Sequence, residues 1–374
     1  MVERRYCDDR LGIEQNRCVG KRVTALSDYC LADLQGQFSA WGFKSSHAAR
    51  VLRACYAANA EIDWEKLRLP KALEERLRLP TMGTTSLATR QTATDGTAKL
   101  LLRLADGRTV ESVLMPDFRD DRAAGCVSSQ VGCAMGCDFC ATTKSGFERN
   151  LTAGEMVEQF LALRREAVGG GRRLQTVVFM GMGEPMLNLD NVIEAVRRIA
   201  DNNLGALGWR QVTVSTVGIV PGIEALAASG LNVHLAVSLH APDDATRERL
   251  LPVGKRFRVE EILAAADSYQ VRTGRPVTIQ YCLLKGVNDS PDQAGQLAKL
   301  LTARRMHVNL LRYNPTGISL RGIRYEPTPD ETADAFVATL RTGGVVAHFR
   351  RSRGPDIDAA CGQLRQRLGI TGQS

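Results

Sequence analysis

Apolar residues recur every three or four positions through the amino-terminal part of the chain, the spacing that places them on one face of a helix. From Val23 to about Pro80, this spacing predicts a small helical module, and Ser27 is the expected N-cap of its first helix. Pro70 and Pro80 bracket a further short helix, because proline begins or ends helices but does not continue them. This part of the chain is therefore predicted to be helical.

The next segment alternates apolar and polar residues, as a strand with one buried face does. Two such runs occur in the stretch AKLLLRLADGRTVESVLMP, and Asp106 and Gly107 lie between them. Asp-Gly flanked by alternating hydrophobic residues is a strong signal for a tight hairpin turn. We therefore predict a β-hairpin at 95–117 that connects the helical module to the rest of the chain.

Beyond this hairpin, apolar strands alternate with helices with little interruption. The predicted strands lie in LQTVVF, RQVTVSTVG, NVHLAVSLH, PVTIQYCLLK, MHVNLLRYNP and VVAHFRR. Repeated βα units imply an α/β fold with a parallel sheet covered by helices. Several of the strands end in polar or glycine-rich segments, which read GMGEP, STVG, SLH and YNP. Functional residues at the carboxyl ends of several strands favour a full or partial barrel over an open sheet.

Composition and charge narrow the class of protein only slightly. The chain has 374 residues, 44% of them hydrophobic, which is enough for a large buried core. No apolar run is long enough to span a bilayer, and the start, MVERRYCDDRLG, lacks the apolar region of a signal peptide, so we expect a cytoplasmic protein. Forty-nine Lys and Arg against 41 Asp and Glu give a net charge of +8, which is a weak signal for nucleic-acid binding, and a solvated basic face is the simpler explanation in the absence of a catalytic motif.

Four of the ten cysteines lie close together, at Cys126, Cys133, Cys137 and Cys140. Zinc is one interpretation, with Cys126 as the fourth ligand, although structural zinc sites usually pair two C-x2-C knuckles and no second knuckle is present. An iron–sulfur cluster fits the C-x3-C-x2-C spacing better, since thiolates are suited to such clusters. Three thiolates would leave one iron of a four-iron cluster open to a small chelating molecule.

The stretch CAMGCDFC resembles the cluster motif of the radical S-adenosylmethionine (radical SAM) superfamily. Seven further motifs, in the right order between about Asp95 and Leu364, resemble the RlmN/Cfr family of adenine methyltransferases. They are CVSSQVGC, GFERNLTAGE, GMGEP, STVGIVPGI, SLHAP, YNP and DIDAACGQL. The resemblance implies a partial (β/α)6 radical SAM barrel at 118–350, together with an RNA-binding helical module at 1–94, a hairpin linker at 95–117 and a carboxyl-terminal segment at 351–374.

The same resemblance implies one [4Fe-4S] cluster, held by Cys133, Cys137 and Cys140 and completed by S-adenosylmethionine. It assigns Gly183 and Glu184 of GMGEP to the methionine amino group of that cofactor, and a carboxylate beside an ammonium is physically reasonable. Other strand-end residues would line the same cofactor: Ser215, Ser238, Leu239, His240 and Asn314. Taken singly, each of these is an ordinary polar residue at the end of a strand.

The resemblance gives Cys361 the central chemical role. It would attack one S-adenosylmethionine and become S-methylcysteine, and a second S-adenosylmethionine would yield a radical that takes hydrogen from this methyl group. The resulting methylene radical would add to an adenine ring carbon. Cys126 would then release the product by forming a disulfide with Cys361, and Glu111 would act as the general base. By position alone, Cys361 would be a small packed side chain and Glu111 the polar position of a strand.

The implied substrate is RNA, at carbon 2 of an adenine in the peptidyl-transferase region of 23S rRNA, with tRNA as a second substrate. We favour carbon 2 because CVSSQVGCAMGCDFC looks closer to the RlmN branch than to the Cfr branch, which methylates carbon 8. A divergent member with another RNA target and, from another class, a zinc-stabilised RNA-binding protein without catalysis are the alternatives. An electron donor such as flavodoxin or ferredoxin is expected, and we expect a monomer.

Two segments depart from the family pattern. GFKSSHAARVLRACY in the helical module keeps only the outline of a family element, which leaves the mode of RNA docking open. In CATTKSGF, Thr143 stands where the family usually has glycine, beside the cluster motif.

Overall fold

A computed structural model of the protein describes residues 25–57, 62–78 and 85–364. Within these ranges, the amino-terminal part is helical as predicted, while Val23, Pro80 and residues 365–374 of the carboxyl-terminal segment lie outside the described residues. A 3-10 helix precedes four α-helices: α1 (Leu31–Ala40), α2 (His47–Cys55), α3 (Trp64–Leu67) and α4 (Lys71–Arg78). Their apolar faces join the main core of the protein through fully buried residues that include Phe38 and Leu52.

The prediction of Ser27 as an N-cap is wrong. Ser27 lies inside the 3-10 helix Leu26–Asp28, and Cys30 occupies the N-cap of α1, where its Sγ accepts the N–H of Asp33 at 3.3 Å. The Ser27 hydroxyl donates instead to the carboxylate of Glu158 on helix α5 (Ala153–Gly169), so a tertiary contact to the barrel has replaced the local cap.

Four strands begin the central sheet: β1 (Ser86–Thr92), β2 (Ala98–Arg103), β3 (Thr109–Pro116) and β4 (Arg122–Cys126). Neighbouring strands in this group are antiparallel. Arg103 lies opposite Thr109 across the turn at Asp106 and Gly107, which confirms the predicted hairpin. Strand β1 was not predicted, because most of its side chains are exposed and its sequence, SLATRQT, lacks apolar alternation.

The rest of the sheet is parallel, and its strands follow one another in chain order from β4 through β7 (Arg173–Phe179), β8 (Val212–Thr216), β9 (His234–Ser238), β10 (Val277–Leu283), β11 (Met306–Arg312) and β12 (Val346–Arg350). The helices that follow β7 to β11 are α6 (Leu189–Ala200), α7 (Val220–Ala228), α8 (Asp244–Leu250), α9 (Val259–Thr273), α10 (Pro291–Leu301) and α11 (Asp330–Thr342). Two short strands, β5 (Gln130–Gly132) and β6 (Phe147–Asn150), form a separate sheet.

Six parallel strands, β4 and β7 to β11, are each followed by at least one helix, which confirms the predicted partial (β/α)6 barrel. In the described sheet, β1 and β12 are the two edge strands, so its hydrogen bonding does not close into a ring. Runs of buried residues occur in β9 and β10, whereas buried residues alternate with half-buried or exposed ones along β8 and most of β11. None of the described helices combines the length and the apolar character needed to cross a bilayer.

Candidate active site

The strand-end residues predicted from the sequence lie at one edge of the barrel. Gly183 and Glu184 follow β7, Ser215 is near the end of β8, and the last residue of β9 is Ser238. Leu239 and His240 follow β9, and Asn314 follows β11. Because the carboxyl ends of parallel strands meet at the same edge, the fold gathers these residues around the mouth of the barrel.

Three thiols meet in the loop that follows β5. Cys133 and Cys137 are buried, and Cys140 is half-buried. Burial raises the pKa of Cys133 to about 12 and that of Cys137 well above its usual value, and the charge of Cys140 raises both further. The three sulfur atoms are therefore close enough to influence one another, as ligands of one centre would be.

Close backbone packing shapes this loop. Gly132 has a φ of 75°, and a Cβ at this position would lie 1.9 Å from the carbonyl oxygen of Gly146, so only glycine fits. The hydroxyl of Thr143 donates to the carbonyl oxygens of Cys137 at 3.2 Å and Cys140 at 3.0 Å. Thr143, which departs from the family pattern, thus ties the loop together in this chain.

The donor set fits an iron–sulfur cluster. Three soft thiols lie in one loop, and the buried guanidinium of Arg247 lies near enough to Cys137 to lower the pKa of that thiol. Among the described residues, no group of three His, Cys, Asp or Glu side chains surrounds one point as a single metal ion would require. Cys126 packs elsewhere, against Val113, Met182, Ala359 and Leu364, and so does not complete a four-thiol set.

Two residues that were not predicted from the sequence, Ser128 and Gln130, hold the GMGEP loop by hydrogen bonds. Ser128 accepts the N–H of Met182 through its hydroxyl oxygen at 2.8 Å, and Gln130 accepts the N–H of Glu184 through Oε1 at 2.9 Å. Gly183 has a φ of 99°, and its absent Cβ would lie 2.5 Å from that of Gln130. The glycine therefore allows the loop to lie directly on the segment after β4.

Glu184 is a buried carboxylate held by neutral donors. Its Oε1 accepts the N–H of Met186 at 3.0 Å, and its Oε2 accepts the N–H of Val217 at 2.8 Å. Burial raises the pKa of Glu184 to about 7, although these hydrogen bonds oppose the shift. No ion pair to Glu184 exists among the described side chains, so a bound ammonium group would supply its missing cation.

His240 combines a strained backbone with a fixed tautomer. Its φ is 59°, a left-handed conformation that costs energy for a residue other than glycine and often marks a functional site. Nδ1 accepts the N–H of Cys282 at 2.9 Å, so the neutral ring carries its proton on Nε2. Burial lowers the pKa of His240 to about 3, and the ring packs edge-on against Phe139 with centroids 5.0 Å apart. The imidazole is therefore neutral at physiological pH.

Arg247 on α8 was missed by the sequence analysis, because DATRERL reads as an ordinary charged surface helix. The residue is fully buried, and its guanidinium donates to the carbonyl oxygens of Val217, Ser238 and Leu239. Burial lowers the pKa of Arg247 to about 10. This side chain thus ties together the carboxyl ends of β8 and β9 and brings a positive charge near the thiol loop.

The carboxyl-terminal segment places Cys361 against the thiol loop. Ala141 donates its N–H to the Gly362 carbonyl at 2.7 Å, and the Thr142 hydroxyl donates to the Leu364 carbonyl at 2.9 Å. Solvent reaches Cys361, but protein atoms surround its thiol, and this burial raises its pKa against the opposing charge of Arg350. The charge of Cys140 also raises the pKa of Cys361, which places this thiol beside a predicted cluster ligand.

Cys126 and Glu111 lie in the same region as this segment. Burial raises the pKa of Cys126 to about 12, and the charge of Cys361 adds to the shift. Glu111 is buried on β3 and forms an ion pair with Lys99 at 3.3 Å. Lys99 also donates to the carbonyl oxygen of Asp358 at 3.3 Å. The fold therefore brings Cys126, and the hairpin that carries Glu111, to the segment that carries Cys361.

Comparison with known proteins agrees with this geometry. Residues 127–298 match the Radical SAM superfamily. The chain is 68% identical over 346 residues to "Probable dual-specificity RNA methyltransferase RlmN 1" of Opitutus terrae, covering 92% of this chain and 98% of the relative. It is 47% identical over 301 residues to the RlmN of Symbiobacterium thermophilum, covering 79% and 80% of the two chains.

A crystal structure of a radical SAM methyltransferase from Sphaerobacter thermophilus superposes with a TM-score of 0.86 at 42% identity, and covers 92% of this chain and all of the other. These matches cover 79% to 92% of the chain, so the resemblance found in the motifs is confirmed. The chain belongs to the RlmN family of radical SAM RNA methyltransferases, which use a [4Fe-4S] cluster and S-adenosylmethionine.

Proposed function

We propose that this enzyme methylates carbon 2 of an adenine in the peptidyl-transferase region of 23S rRNA, and an adenine of tRNA as a second substrate. The observation that carries the proposal is the packing of the segment around Cys361: Ala359 and Leu364 share one apolar cluster with Cys126, and Ala141, next to Cys140, donates its N–H to the Gly362 carbonyl at 2.7 Å. The two relatives at 68% and 47% identity are named as dual-specificity RNA methyltransferases, which supports the choice of both substrates.

Cys133, Cys137 and Cys140 would hold the cluster, and Gly183 and Glu184 would bind the methionine ammonium of S-adenosylmethionine. When bound, the cluster and this cofactor supply one-electron chemistry able to remove hydrogen from an unactivated methyl group. The neutral His240 would offer its Nε2–H as a hydrogen-bond donor at the same mouth. The other strand-end residues would line the cofactor: Ser215, Ser238, Leu239 and Asn314.

Cys361 would carry the methyl group, because its segment packs against the cluster loop through the hydrogen bond from Ala141 to the Gly362 carbonyl. Burial raises the pKa of this thiol, and the nearby guanidinium of Arg350 opposes that rise, so Arg350 would help to stabilise the thiolate that must attack the sulfonium methyl. A carbon between two ring nitrogens is a poor nucleophile, which explains why the methyl group would travel through a cysteine.

Cys126 would release the product. Its thiolate would attack the sulfur of Cys361, so that a disulfide forms while the carbon–sulfur bond to the RNA breaks. The bonding electron pair leaves with the carbon, which takes up a proton and becomes the methyl group of the product. After the methylene radical adds to the adenine ring carbon, the adduct must lose one proton and one electron to restore the ring. Glu111 would accept the proton, the cluster, when bound, would accept the electron, and the ion pair with Lys99 would fix the carboxylate in place.

Residues 1–94 would dock the RNA, and the hairpin at 95–117 would link this module to the barrel at 118–350. An adenine must leave its stack to reach a barrel mouth, as for other enzymes that act on bases. A one-electron donor of the flavodoxin or ferredoxin type would supply the electron. We also propose that the enzyme is a monomer and that it acts in the cytoplasm, where rRNA and tRNA are found.

Mass spectrometry of nucleosides from rRNA and tRNA tests the proposal, with a deletion strain compared before and after complementation. We expect 2-methyladenosine to disappear from both RNAs in the deletion strain and to return with the gene. Loss of 8-methyladenosine would establish the Cfr-type activity instead. If neither 2-methyladenosine nor 8-methyladenosine disappeared, and the purified protein held zinc in place of iron and sulfide, the proposed methyltransferase activity would be contradicted.

A further inference from the structure

An exposed turn lies over the cysteine loop, between β11 and α11. We call residues 317–324 the apolar turn, because three branched aliphatic side chains point into solvent within six residues. Ile318 is 59% exposed, Leu320 is 55% exposed and Ile323 is 45% exposed. Scattered exposed aliphatic residues are ordinary, but a compact group of three at one turn is typical of an interaction surface.

The apolar turn has an ordered backbone. Ser319 donates its N–H to the carbonyl of Ile323 at 2.8 Å, and Ile318 forms an antiparallel bridge with Arg324. The buried hydroxyl of Ser319 accepts the N–H groups of Arg321 at 3.2 Å and Ile323 at 3.0 Å. The backbone that carries the exposed side chains is therefore already fixed before a partner binds. This reduces the conformational entropy that the turn would lose on binding.

The apolar turn is anchored directly to the residues between two proposed cluster ligands. Asp138 accepts the N–H of Arg321 at 3.1 Å and the hydroxyl of Tyr325 at 2.7 Å. Thr316 donates its hydroxyl to the carbonyl oxygen of Phe139 at 3.2 Å. Asp138 and Phe139 separate Cys137 from Cys140, so a protein docked on this turn would lie close to the cluster.

The surroundings of the apolar turn are basic. Arg321 and Arg324 are exposed on the turn itself. A second segment, residues 249–256, carries three more exposed cationic side chains: Arg249, Lys255 and Arg256. This segment contacts the same loop, since Asp138 donates its N–H to the carbonyl of Leu250 at 2.9 Å. The nearby carboxylate of Glu326 is paired with Lys285 at 2.9 Å. An acidic partner would find complementary charge here.

We propose that the apolar turn and the basic segment at 249–256 form the docking surface for a small acidic one-electron carrier protein, of the flavodoxin or ferredoxin type. The proposal rests on the proposed function, which needs a reductant. One electron passes from the reduced carrier to the cluster, and no atoms are exchanged. Aliphatic side chains ringed by arginine suit a protein partner, whereas RNA bases would stack on aromatic side chains, and Tyr325, the aromatic residue beside the turn, is buried.

Two variants test this surface in the reconstituted full-length enzyme. Ile318→Asp combined with Leu320→Asp removes the apolar contacts, and Arg321→Glu combined with Arg324→Glu reverses the charge. Val271→Asp is the matched control, because Val271 is 84% exposed on α9, a helix that packs on α7 and β10. Iron content per chain verifies that each variant still holds its cluster.

The first measurement is the affinity for oxidised flavodoxin and oxidised ferredoxin, by isothermal titration at low and moderate salt. The second is the rate of cluster reduction by each reduced carrier, compared with reduction by dithionite. We expect both surface variants to weaken binding of at least one carrier, and to slow reduction by it, by about tenfold or more. Reduction by dithionite and the affinity for RNA should match those of the wild type and of Val271→Asp.

Failure of this surface can be distinguished from failure of the proposed function. Unchanged carrier binding in both variants, or no measurable binding of either carrier to the wild type, would overturn the docking surface. Weakened RNA binding with unchanged carrier binding would reassign the patch to RNA. A wild-type enzyme that holds no dithionite-reducible cluster would instead contradict the proposed function.

Discussion

The residues on either side of Cys361 pack with Cys126, because Ala359 and Leu364 of the carboxyl-terminal segment share one apolar cluster with Cys126 at the end of β4. The charge of Cys361 contributes to the raised pKa of Cys126, and both thiols are free. Cys282 is a third thiol influenced by Cys361, and it lies on β10. The site therefore offers two possible partners to Cys361, and a substitution of each one identifies the resolving thiol.

Replacing Cys126 should trap the reaction. In Cys126→Ala, no thiol at this position can break the carbon–sulfur bond, so we expect RNA to stay covalently attached to the protein. Denaturing gels with labelled RNA would show the adduct, and methylated product should fall by at least about two orders of magnitude.

Cys282→Ala is the matched control, since Cys282 is also buried and also near Cys361. It should turn over and release RNA as the wild type does. If Cys282→Ala trapped RNA and Cys126→Ala did not, the resolving role would belong to Cys282.

Replacing Cys361 should abolish methylation and leave the cluster in place. Cys361 is near Cys140, so a ligand role is the competing interpretation. In Cys361→Ala we expect unchanged iron and sulfide content, an unchanged visible absorption spectrum and no methylated RNA. Loss of iron from this variant, comparable to that in Cys137→Ala, would identify Cys361 as a ligand and contradict its role as methyl carrier.

The barrel could be predicted from the sequence because its strands carry apolar residues at consecutive or alternating positions and several of them end in polar motifs. Strand β4 escaped prediction because its sequence, RAAGC, is short and made of small residues, so no periodicity marks it. Strand β1 was not predicted because most of its side chains are exposed, and an exposed strand needs few apolar residues. Local pattern identifies strands with regularly spaced large apolar residues, whereas β1 and β4 are recognised only from their pairing with distant strands.

The site shows the same division. Residues within motifs, such as Glu184, could be assigned by resemblance, but the contacts that hold them come from separate parts of the chain. Gln130 accepts the N–H of Glu184, although the two residues are 54 positions apart in the chain. Arg247 donates to three carbonyl oxygens, although the sequence of its helix is typical of an exposed one. The proximity of Cys126 to Cys361 likewise depends on how the carboxyl-terminal segment packs, which no local spacing encodes.

Gly183→Ala should destabilise the protein and impair binding of S-adenosylmethionine. The added Cβ would lie 2.5 Å from Gln130 and would also occupy a φ of 99°. Steric overlap and backbone strain together should lower the free energy of unfolding by about 2–4 kcal/mol. Urea unfolding measures the stability, and equilibrium dialysis with labelled S-adenosylmethionine measures binding.

Gly274→Ala separates strain from overlap. Gly274 caps α9 with a φ of 69°, and a Cβ there would meet no atom within 4 Å. The free energy of unfolding of this variant should fall by only about 1 kcal/mol, and its affinity for S-adenosylmethionine should equal that of the wild type. Equal effects of the two substitutions would show that contact with Gln130 does not matter.

His240 should make the stability of the protein depend on pH. Its pKa is about 3 in the folded protein against 6.5 ordinarily, because burial disfavours the charged ring. Between these values, the unfolded chain binds more protons than the folded chain, so stability falls as the pH falls below about 6.5. From the two pKa values, the loss between pH 7 and pH 5 should be about 2 kcal/mol.

His240→Asn should remove this dependence, because asparagine tolerates the left-handed backbone, can accept the N–H of Cys282 and does not titrate. Urea unfolding at pH 7, 6 and 5 gives the free energy of unfolding of cluster-free wild type and variant, and the slopes of this free energy against pH are compared. Loss of the ring contact with Phe139 lowers the stability of the variant equally at each pH, so it does not change the slope. His348→Asn, at an exposed position on β12, should retain the wild-type slope. Parallel pH profiles for His240→Asn and the wild type would show that the imidazole is protonated equally in the folded and unfolded states.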